Sequence, residues 1–555
     1  MDLTTFRKPN PSKIILCLSF GLLAAATLFC AWYANYYLSG NADDIIYPYL
    51  FQRFKLHDMI LPGQHSNILK FPLFILQAIL PYTFATFTVV SIGLVILTIL
   101  GWATLLVWLF GKRWAPLICL SLASILLGSR LFNYDILGTT IRNIEFPIVF
   151  AFVIYAGSLL RKRVLSKAEL LLGGTIGFLF SLTIAGDSFF LYVICSSLFV
   201  TLAYFWFVGE KGTKQSLQFK LSFVYVAGAT VLALAIRVAI KLLGITQYFT
   251  AGVFKPHILA LNHLSPSLST TATQILDLCN ANIFGQQIAP STVLVFLNFT
   301  LLALGLVGIG CMLCDTFCAH GRKILRTRVH FPRVFIFAVL ALSLLVTLAI
   351  YVASDLVVGQ APDGTVSSLY QERYLTIVPL LVIVGLVYFV WRNFARRQLV
   401  FLGLPILIVI ALAISGPGIM RNHSYDGSLR DGPIAVASAA KKHHIQLLVT
   451  GYWYGSTTRF WSHDTVNATS VAGCNIPQPT FNTRLSWYKI DPAIHSTALV
   501  VVHKGVDAGY WTCSDDQLVH IYGTPAKIIQ VNTGDQPDLW LYNYDVRSKI
   551  VPMNY

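Results

Sequence analysis

Long apolar runs constrain this chain more than any other feature: they fall at 14–38, 84–110, 114–132, 144–160, 168–186, 188–208, 221–243, 291–314, 334–354, 374–391 and 399–415. About 20 apolar residues in a helix cross a hydrocarbon core of about 30 Å. Lipid offers backbone N–H and C=O groups no partner, so a crossing segment must close its own hydrogen bonds. The residues are 56% hydrophobic and only 12% charged, an apolar excess that no water-soluble core requires. The expected fold class is an α-helical polytopic membrane protein with about 11 transmembrane helices.

The first run follows Arg7, Lys8 and Lys13 as a signal peptide's apolar region would, but it is too long. It ends in Trp32, Tyr33, Tyr36 and Tyr37, an interfacial belt instead of a small-residue cleavage site, and reads as a retained helix. Lys112 with Arg113, Arg161 to Arg163, Lys211 with Lys214 and Lys220, Arg322 to Arg333, and Arg392 with Arg396 and Arg397 occupy alternate loops. With the amino terminus they form a cytoplasmic set, which places the carboxy-terminal tail on the periplasmic or extracellular side of a bacterial inner membrane. The net charge of +16 is explained by these loops, and nucleic acid is discarded as a partner.

Acidic residues show the opposite distribution. Asp43, Asp44, Asp58, Asp135, Glu145, Asp187, Asp277, Asp355, Asp363 and Glu372 fall in loops or helix ends expected to be external. Carboxylates contribute little to topology, so their gathering on one side points to chemistry there. Three external segments exceed simple connections: 39–83, 244–290, and the tail from Gly416. Within 39–83, Ile45 to Phe54 and Leu69 to Ile79 carry apolar residues at helical spacing, broken by Pro62-Gly63, and predict two interfacial helices. The tail has a helical stretch at 429–443 and strand-like runs at 445–450, 497–503, 526–531 and 538–544. The expected division is a transmembrane domain over 1–415, interfacial helices included, and a soluble α/β periplasmic domain over 416–555.

Cys474 and Cys513 lie in the external tail, where a disulfide can persist; sequence alone leaves their pairing open. Cys311, Cys314, Cys318 and His320 match no closed zinc pattern.

Asn41-Ala42-Asp43-Asp44 is the strongest candidate site, because adjacent carboxylates at a membrane surface suit either a general base or a divalent cation such as Mg or Mn. Arg53, Lys55, His57, His65 and Lys70 follow it as cations able to meet phosphate. Asp135 is a candidate metal or acceptor ligand, and Arg142 and Glu145, three residues apart, can pair along one helix face. Asp187 can cap the helix that starts after it, serve the site, or do both. In Tyr370-Gln371-Glu372-Arg373-Tyr374, the arginine fork suits phosphate and Glu372 can orient it. Arg237 and Lys241, one turn apart, can both snorkel towards a lipid phosphate.

The pattern resembles the GT-C superfamily of integral membrane glycosyltransferases. The resemblance rests on Asp43-Asp44 in the first external loop, the amphipathic segment after it, acidic positions in the second external loop, Glu372-Arg373, and an external tail. It implies a polyprenyl-phosphate sugar as donor, with Asp43 or Asp44 deprotonating a hydroxyl of a glycan, lipid or protein acceptor. By the same analogy Arg373, Lys70, Arg237 and Lys241 hold the donor phosphate, while Asp135, Asp187, Glu145, Glu372, His65 and Tyr370 serve the acceptor or support the site. The pair reads Asp-Asp where the family has aspartate-glutamate, and no Trp-Trp-Asp signature is present, so subfamily, sugar and acceptor stay open. A lipid-linked sugar transporter or flippase, or a polysaccharide polymerase or ligase, is the competing expectation.

Overall fold

The apolar runs become helices, as a lipid environment demands. The computed structural model describes residues 11–38, 59–62, 68–79, 84–129, 132–133, 136, 142–160, 165–208, 217–242, 246–248, 258–317, 331–354, 359–360, 366–367, 374–394, 398–422, 428–463, 465–477, 483–502, 513–533 and 537–551. In chain order the elements begin with α1 (Pro11–Leu38), β1 (Met59–Pro62), α2 (Phe71–Ile79), α3 (Phe84–Phe110), α4 (Ala115–Gly128) and α5 (Glu145–Leu159). Next come α6 (Lys167–Gly186), α7 (Ser188–Val208, with a π-helical turn at Leu191–Cys195), α8 (Leu217–Leu242), β2 (Thr246–Tyr248) and α9 (Leu264–Leu278). Then follow α10 (Val293–Phe317), α11 (Phe331–Ala353), the short pair β3 (Gly359–Gln360) and β4 (Val366–Ser367), α12 (Ile377–Phe394) and α13 (Gln398–Asn422).

Among the described residues, eight helices are long and apolar enough to span a membrane, those of α1, α3, α6, α7, α8, α10, α11 and α12. The shorter helices α4 and α5, and the apolar stretch Gly403–Gly416 of α13, coincide with the remaining runs. The chain is a multi-pass helical membrane protein. One boundary differs from the sequence expectation: α13 continues through Gly416-Pro417-Gly418 to Asn422. Apolar helices tolerate such breakers where neighbouring groups satisfy the freed carbonyl.

Local chemistry sets several helix ends. Ser166 Oγ accepts from Glu169 N at 3.3 Å and Glu169 Oε2 accepts from Ser166 N at 2.9 Å, a reciprocal cap that starts α6. Close packing decides others. A Cβ on Gly308 would run into the Gly385 carbonyl, so α10 and α12 pack backbone to backbone where both lack side chains. The same two helices are clasped nearer their carboxy-terminal ends: Tyr388 Oη donates to Asp315 Oδ2 at 2.6 Å, and Arg392 Nη2 donates to Asp315 Oδ1 at 2.9 Å.

The tail continues with α14 (Ser428–Lys442), β5 (Leu447–Thr450), α15 (Tyr452–Trp461), β6 (Asn467–Ala472), β7 (Ile476–Pro477), β8 (Thr483–Arg484), β9 (Thr497–Val501), α16 (Asp515–Tyr522), β10 (Lys527–Gln530) and β11 (Asp538–Tyr542). Six strands form one sheet in the order β10-β11-β9-β5-β6-β7, with β5 parallel to both β6 and β9 and β11 antiparallel to β9. Both faces are covered, so β5 is buried along its whole length. Leu448, Ala498, Val500 and Leu539 pack with Val436 and Ala440 of α14 and Tyr454 of α15 on one face; Leu447, Val449, Leu499 and Trp540 pack with Leu518 and Tyr522 of α16 on the other. Cys474 and Cys513 form a disulfide with Cα atoms 5.4 Å apart.

Contacts divide the chain into two compact units, one of 1–31, 92–236 and 255–424, the other of 32–91, 237–254 and 425–555. In the second unit, β1 pairs in parallel with β2 and antiparallel with β8, so both long loops contribute strands to the same unit as the tail. Of the two helices expected within 39–83, the second is α2, preceded by a 3-10 turn at Ile68–Lys70, while the first lies outside the described residues.

Candidate functional site

Asp187 is the single residue between α6 and α7. Its Oδ1 accepts from Phe189 N at 2.9 Å, which caps the start of α7, and its Oδ2 accepts from Nε of Arg142. Arg142 comes from the bend ahead of α5. Its guanidinium carbon stands 4.7 Å from the Phe189 ring centroid and 4.5 Å from that of Tyr374, the residue that leads into α12. The arginine is 7% exposed and the aspartate 15%. Burial acts against the arginine's charge, but Asp187 and Tyr374 more than compensate, and its pKa is raised above the ordinary value. A planar cation held by one carboxylate and two ring faces has its orientation fixed on several sides. Shortly after the cap, α7 widens into the π-helical turn Leu191–Cys195, a distortion that recurs near functional sites.

The Arg142–Glu145 pairing expected from spacing does not form. Both residues would have to lie on one helix face, and α5 begins only at Glu145. Glu145 Oε2 instead accepts from Asn143 N at 2.8 Å, and Asn143 Oδ1 accepts from Ile144 N at 2.6 Å. These bonds hold the bend that presents Arg142. Glu145 is 5% exposed, so the carboxylate acts inside the fold.

The ends of α4 and α11 are both tied to α9. Ser129 Oγ donates to Asp277 O at 2.9 Å, and Asn282 Nδ2 donates to Asp277 Oδ1 at 2.8 Å, fastening the end of α9 to the end of α4. Tyr351 Oη donates to Gln274 Oε1 at 2.9 Å and Ser267 Oγ to Val352 O at 2.7 Å, fastening α9 to α11. Helix α9 is therefore fastened to the ends of both α4 and α11.

Asp43, Asp44, His65, Asp135, Tyr370, Glu372 and Arg373 lie outside the described residues. Lys70 closes its 3-10 turn at 2% exposure, and Arg237 is half-buried in α8. Lys241 follows Arg237 one turn on in α8, with its side chain outside the description. The structure brings Asp187 and Glu145 to one place, through Arg142 and its neighbour Asn143. Phe189 and Tyr374 were not singled out as members of this cluster. An aromatic beside a helix cap was the available signal, but only the fold shows which arginine it covers. Among the described residues no group of three or more His, Cys, Asp or Glu side chains is placed to hold a metal ion.

No family model matches the chain, and no curated protein matches it. Among solved structures, the chain is similar to the crystal structure of ArnT from Cupriavidus metallidurans in the apo state. The two are 11% identical with a TM-score of 0.42, over 97% of this chain and 100% of that one.

Proposed function

We propose that this chain is a GT-C-type glycosyltransferase that moves a sugar from a polyprenyl-phosphate donor to an acceptor on the external face of the membrane. The observation that carries the reading is the Arg142–Asp187–Tyr374 cluster. It gathers three helix ends that sequence reading had nominated separately, and Tyr374 directly follows Glu372-Arg373. A buried charged joint at the mouths of spanning helices is costly, and its presence fits a site that must be held rigid.

In the proposed reaction Asp43 or Asp44 takes the proton of the acceptor hydroxyl as its oxygen attacks the anomeric carbon. The bond from that carbon to the phosphate oxygen breaks, and polyprenyl phosphate leaves with the negative charge. Arg373 meets that charge, with Lys70, Arg237 and Lys241 supplying further positive potential. In-line attack inverts the anomeric centre. A divalent cation, Mg or Mn, held by Asp43, Asp44 and Asp135 would add electrostatic stabilisation of the same phosphate. A bacterial inner membrane with the tail in the periplasm places a lipid-linked donor and these loops at the same surface.

The test is incubation of the purified chain with radiolabelled polyprenyl-phosphate sugars, reading acceptor-dependent release of polyprenyl phosphate in the presence and absence of chelator. Accumulation of an unmodified sugar lipid or solute in sealed vesicles, without any covalent product, would establish transport instead.

A further inference from the structure

Helix α9 is built inside out. Apart from Leu278, its buried stripe is polar, formed by Ser267, Thr271 and Gln274. Ser267 Oγ donates to Val352 O at 2.7 Å, and Gln274 Oε1 accepts from Tyr351 Oη at 2.9 Å. Ahead of the helix, Leu259 N donates to Ala353 O at 2.8 Å. Val352 and Ala353 carry two of the last carbonyls of α11, which have no partner within that helix. The apolar residues of α9 take another face. Leu264, Leu268, Ala272 and Ile275 follow helical spacing along one stripe, on which Leu268 and Ala272 are exposed. Ser269, Thr273 and Asp277 form an exposed polar stripe on the far flank. A helix surrounded by water turns its apolar stripe inward.

The chain on either side of α9 extends this apolar surface. Leu261 before it and Phe284 after it are exposed, and Ile258 and Ile288 are 89% and 93% exposed. Phe284 stands in a turn closed by Gln286 N donating to Ile283 O at 3.3 Å, where Gly285 takes a φ of 74° that suits glycine. From Ile258 to Val293 the only Asp, Glu, Lys or Arg is Asp277. Position decides what covers this surface. Ile258 bridges to Ser354, the residue after α11, and Ile288 lies two residues before Pro290, where the apolar spanning stretch of α10 begins. Two residues reach at most about 7 Å, no more than the interfacial layer on one side of the hydrocarbon core. Apolar surface held at that level meets lipid. We infer that the segment from Ile258 to Ile288 lies in the membrane interface. Ile258, Leu261, Leu268, Phe284 and Ile288 seat among the upper acyl chains of the leaflet where α10 begins and α11 ends, and Ser269 and Thr273 turn to water. Without lysine or arginine, the segment is held by apolar area instead of attraction to lipid phosphate. The inference rests on the spans and is independent of the transferase reading.

The experiment encodes trifluoromethyl-phenylalanine at Leu268, Phe284, Ile288, Ser269 and Thr273, a single position at a time, in the full chain held as a monomer in lipid nanodiscs. All five side chains are exposed, so the probe displaces no packed neighbour. Fluorine relaxation is read with dissolved oxygen, which concentrates in hydrocarbon, and with a water-soluble gadolinium chelate. Oxygen is expected to outweigh the chelate at Leu268, Phe284 and Ile288, at depths of about 5–10 Å into the headgroup–acyl boundary, with the order reversed at Ser269 and Thr273. The profile is expected to be the same in neutral and anionic lipid and in high salt, because the segment brings no lysine or arginine to the surface. Equal access of the chelate to all five positions would overturn the inference. So would protection of the three apolar positions from both reagents, as a covering protein segment would give, or a profile lost when salt is raised.

Discussion

Two arginine–aspartate pairs, one in each unit, are built in opposite ways. Arg547 and Asp545 lie two residues apart, 8% and 7% exposed, and Asp545 caps the turn Val546–Lys549, which holds Arg547, by accepting from Arg547 N at 3.0 Å. Arg142 and Asp187 are separated by two helices, α5 and α6, and meet only because those helices return the chain to the same end. The local pair organises a turn and anchors Trp487. The distant pair locks the entrances of α5, α7 and α12 to one another. A local pair forms wherever its turn forms, whereas a distant one reports that a whole arrangement of helices is in place, and that is the role a rigid site needs.

The largest effect that would separate the two is on transfer. Arg142→Ala is expected to lower turnover roughly a hundredfold by letting the loop ends shift, and Arg142→Lys is expected not to restore it, because an ammonium lacks the flat face that meets Phe189 and Tyr374. Donor cleavage assays on nanodisc-embedded variants check this, and near-normal turnover in Arg142→Ala would reduce the distant pair to a structural tie. Asp545→Ala leaves a buried guanidinium uncompensated and is expected to cost about 3 kcal/mol, read in the melting of the tail, with donor cleavage largely retained. A loss of turnover with unchanged melting would reverse the assignment of the two pairs.

The local pair also predicts a pH dependence. Burial pushes the Asp545 carboxyl up, but its bonds from Arg547 and from the backbone N–H groups of Asp491 and Arg547 outweigh this and hold it below the usual carboxylate value. A carboxyl lowered on folding stabilises the folded state at pH above its unfolded value, and that contribution fades as pH falls through the folded one. The stability gap between the native chain and Asp545→Asn should therefore be full at neutral pH and shrink in acid. Thermal melts from neutral pH downward measure it, and a constant gap would show that the carboxylate's charge is not what matters. The smallest effect is Glu145→Gln, which keeps an acceptor for Asn143 N and should cost about 1 kcal/mol or less by denaturant titration.

The comparison also marks what sequence can reveal. The spans were legible because an apolar run of sufficient length has no other way to satisfy its backbone in lipid. In the tail, the runs at 445–450, 497–503, 526–531 and 538–544 became β5, β9, β10 and β11; the apolar residues of β5, β9 and β11 are largely buried, whereas β10 is a mostly exposed edge strand held by its pairing with β11. Helix α15 was missed because Tyr452-Trp453-Tyr454 and Thr457-Thr458 favour strands by local preference, and packing against α14 overrides it. Strand β6, Asn-Ala-Thr-Ser-Val-Ala, was missed because small and polar residues hide its burial. Helix α16 did carry a signal, the reciprocal cap between Ser514 and Gln517. The Arg142–Asp187 joint and the β2-β1-β8 sheet had none, because their partners are distant in the chain and only topology selects them.

The most direct measurement of the central claim is polyprenyl phosphate released from a radiolabelled polyprenyl-phosphate sugar by the purified chain, compared with Asp43→Ala and Asp44→Ala. The account predicts acceptor-dependent release that falls by about a hundredfold or more in at least one variant while membrane insertion and lipid binding persist. Full release in both variants, or no release from any donor, would contradict it.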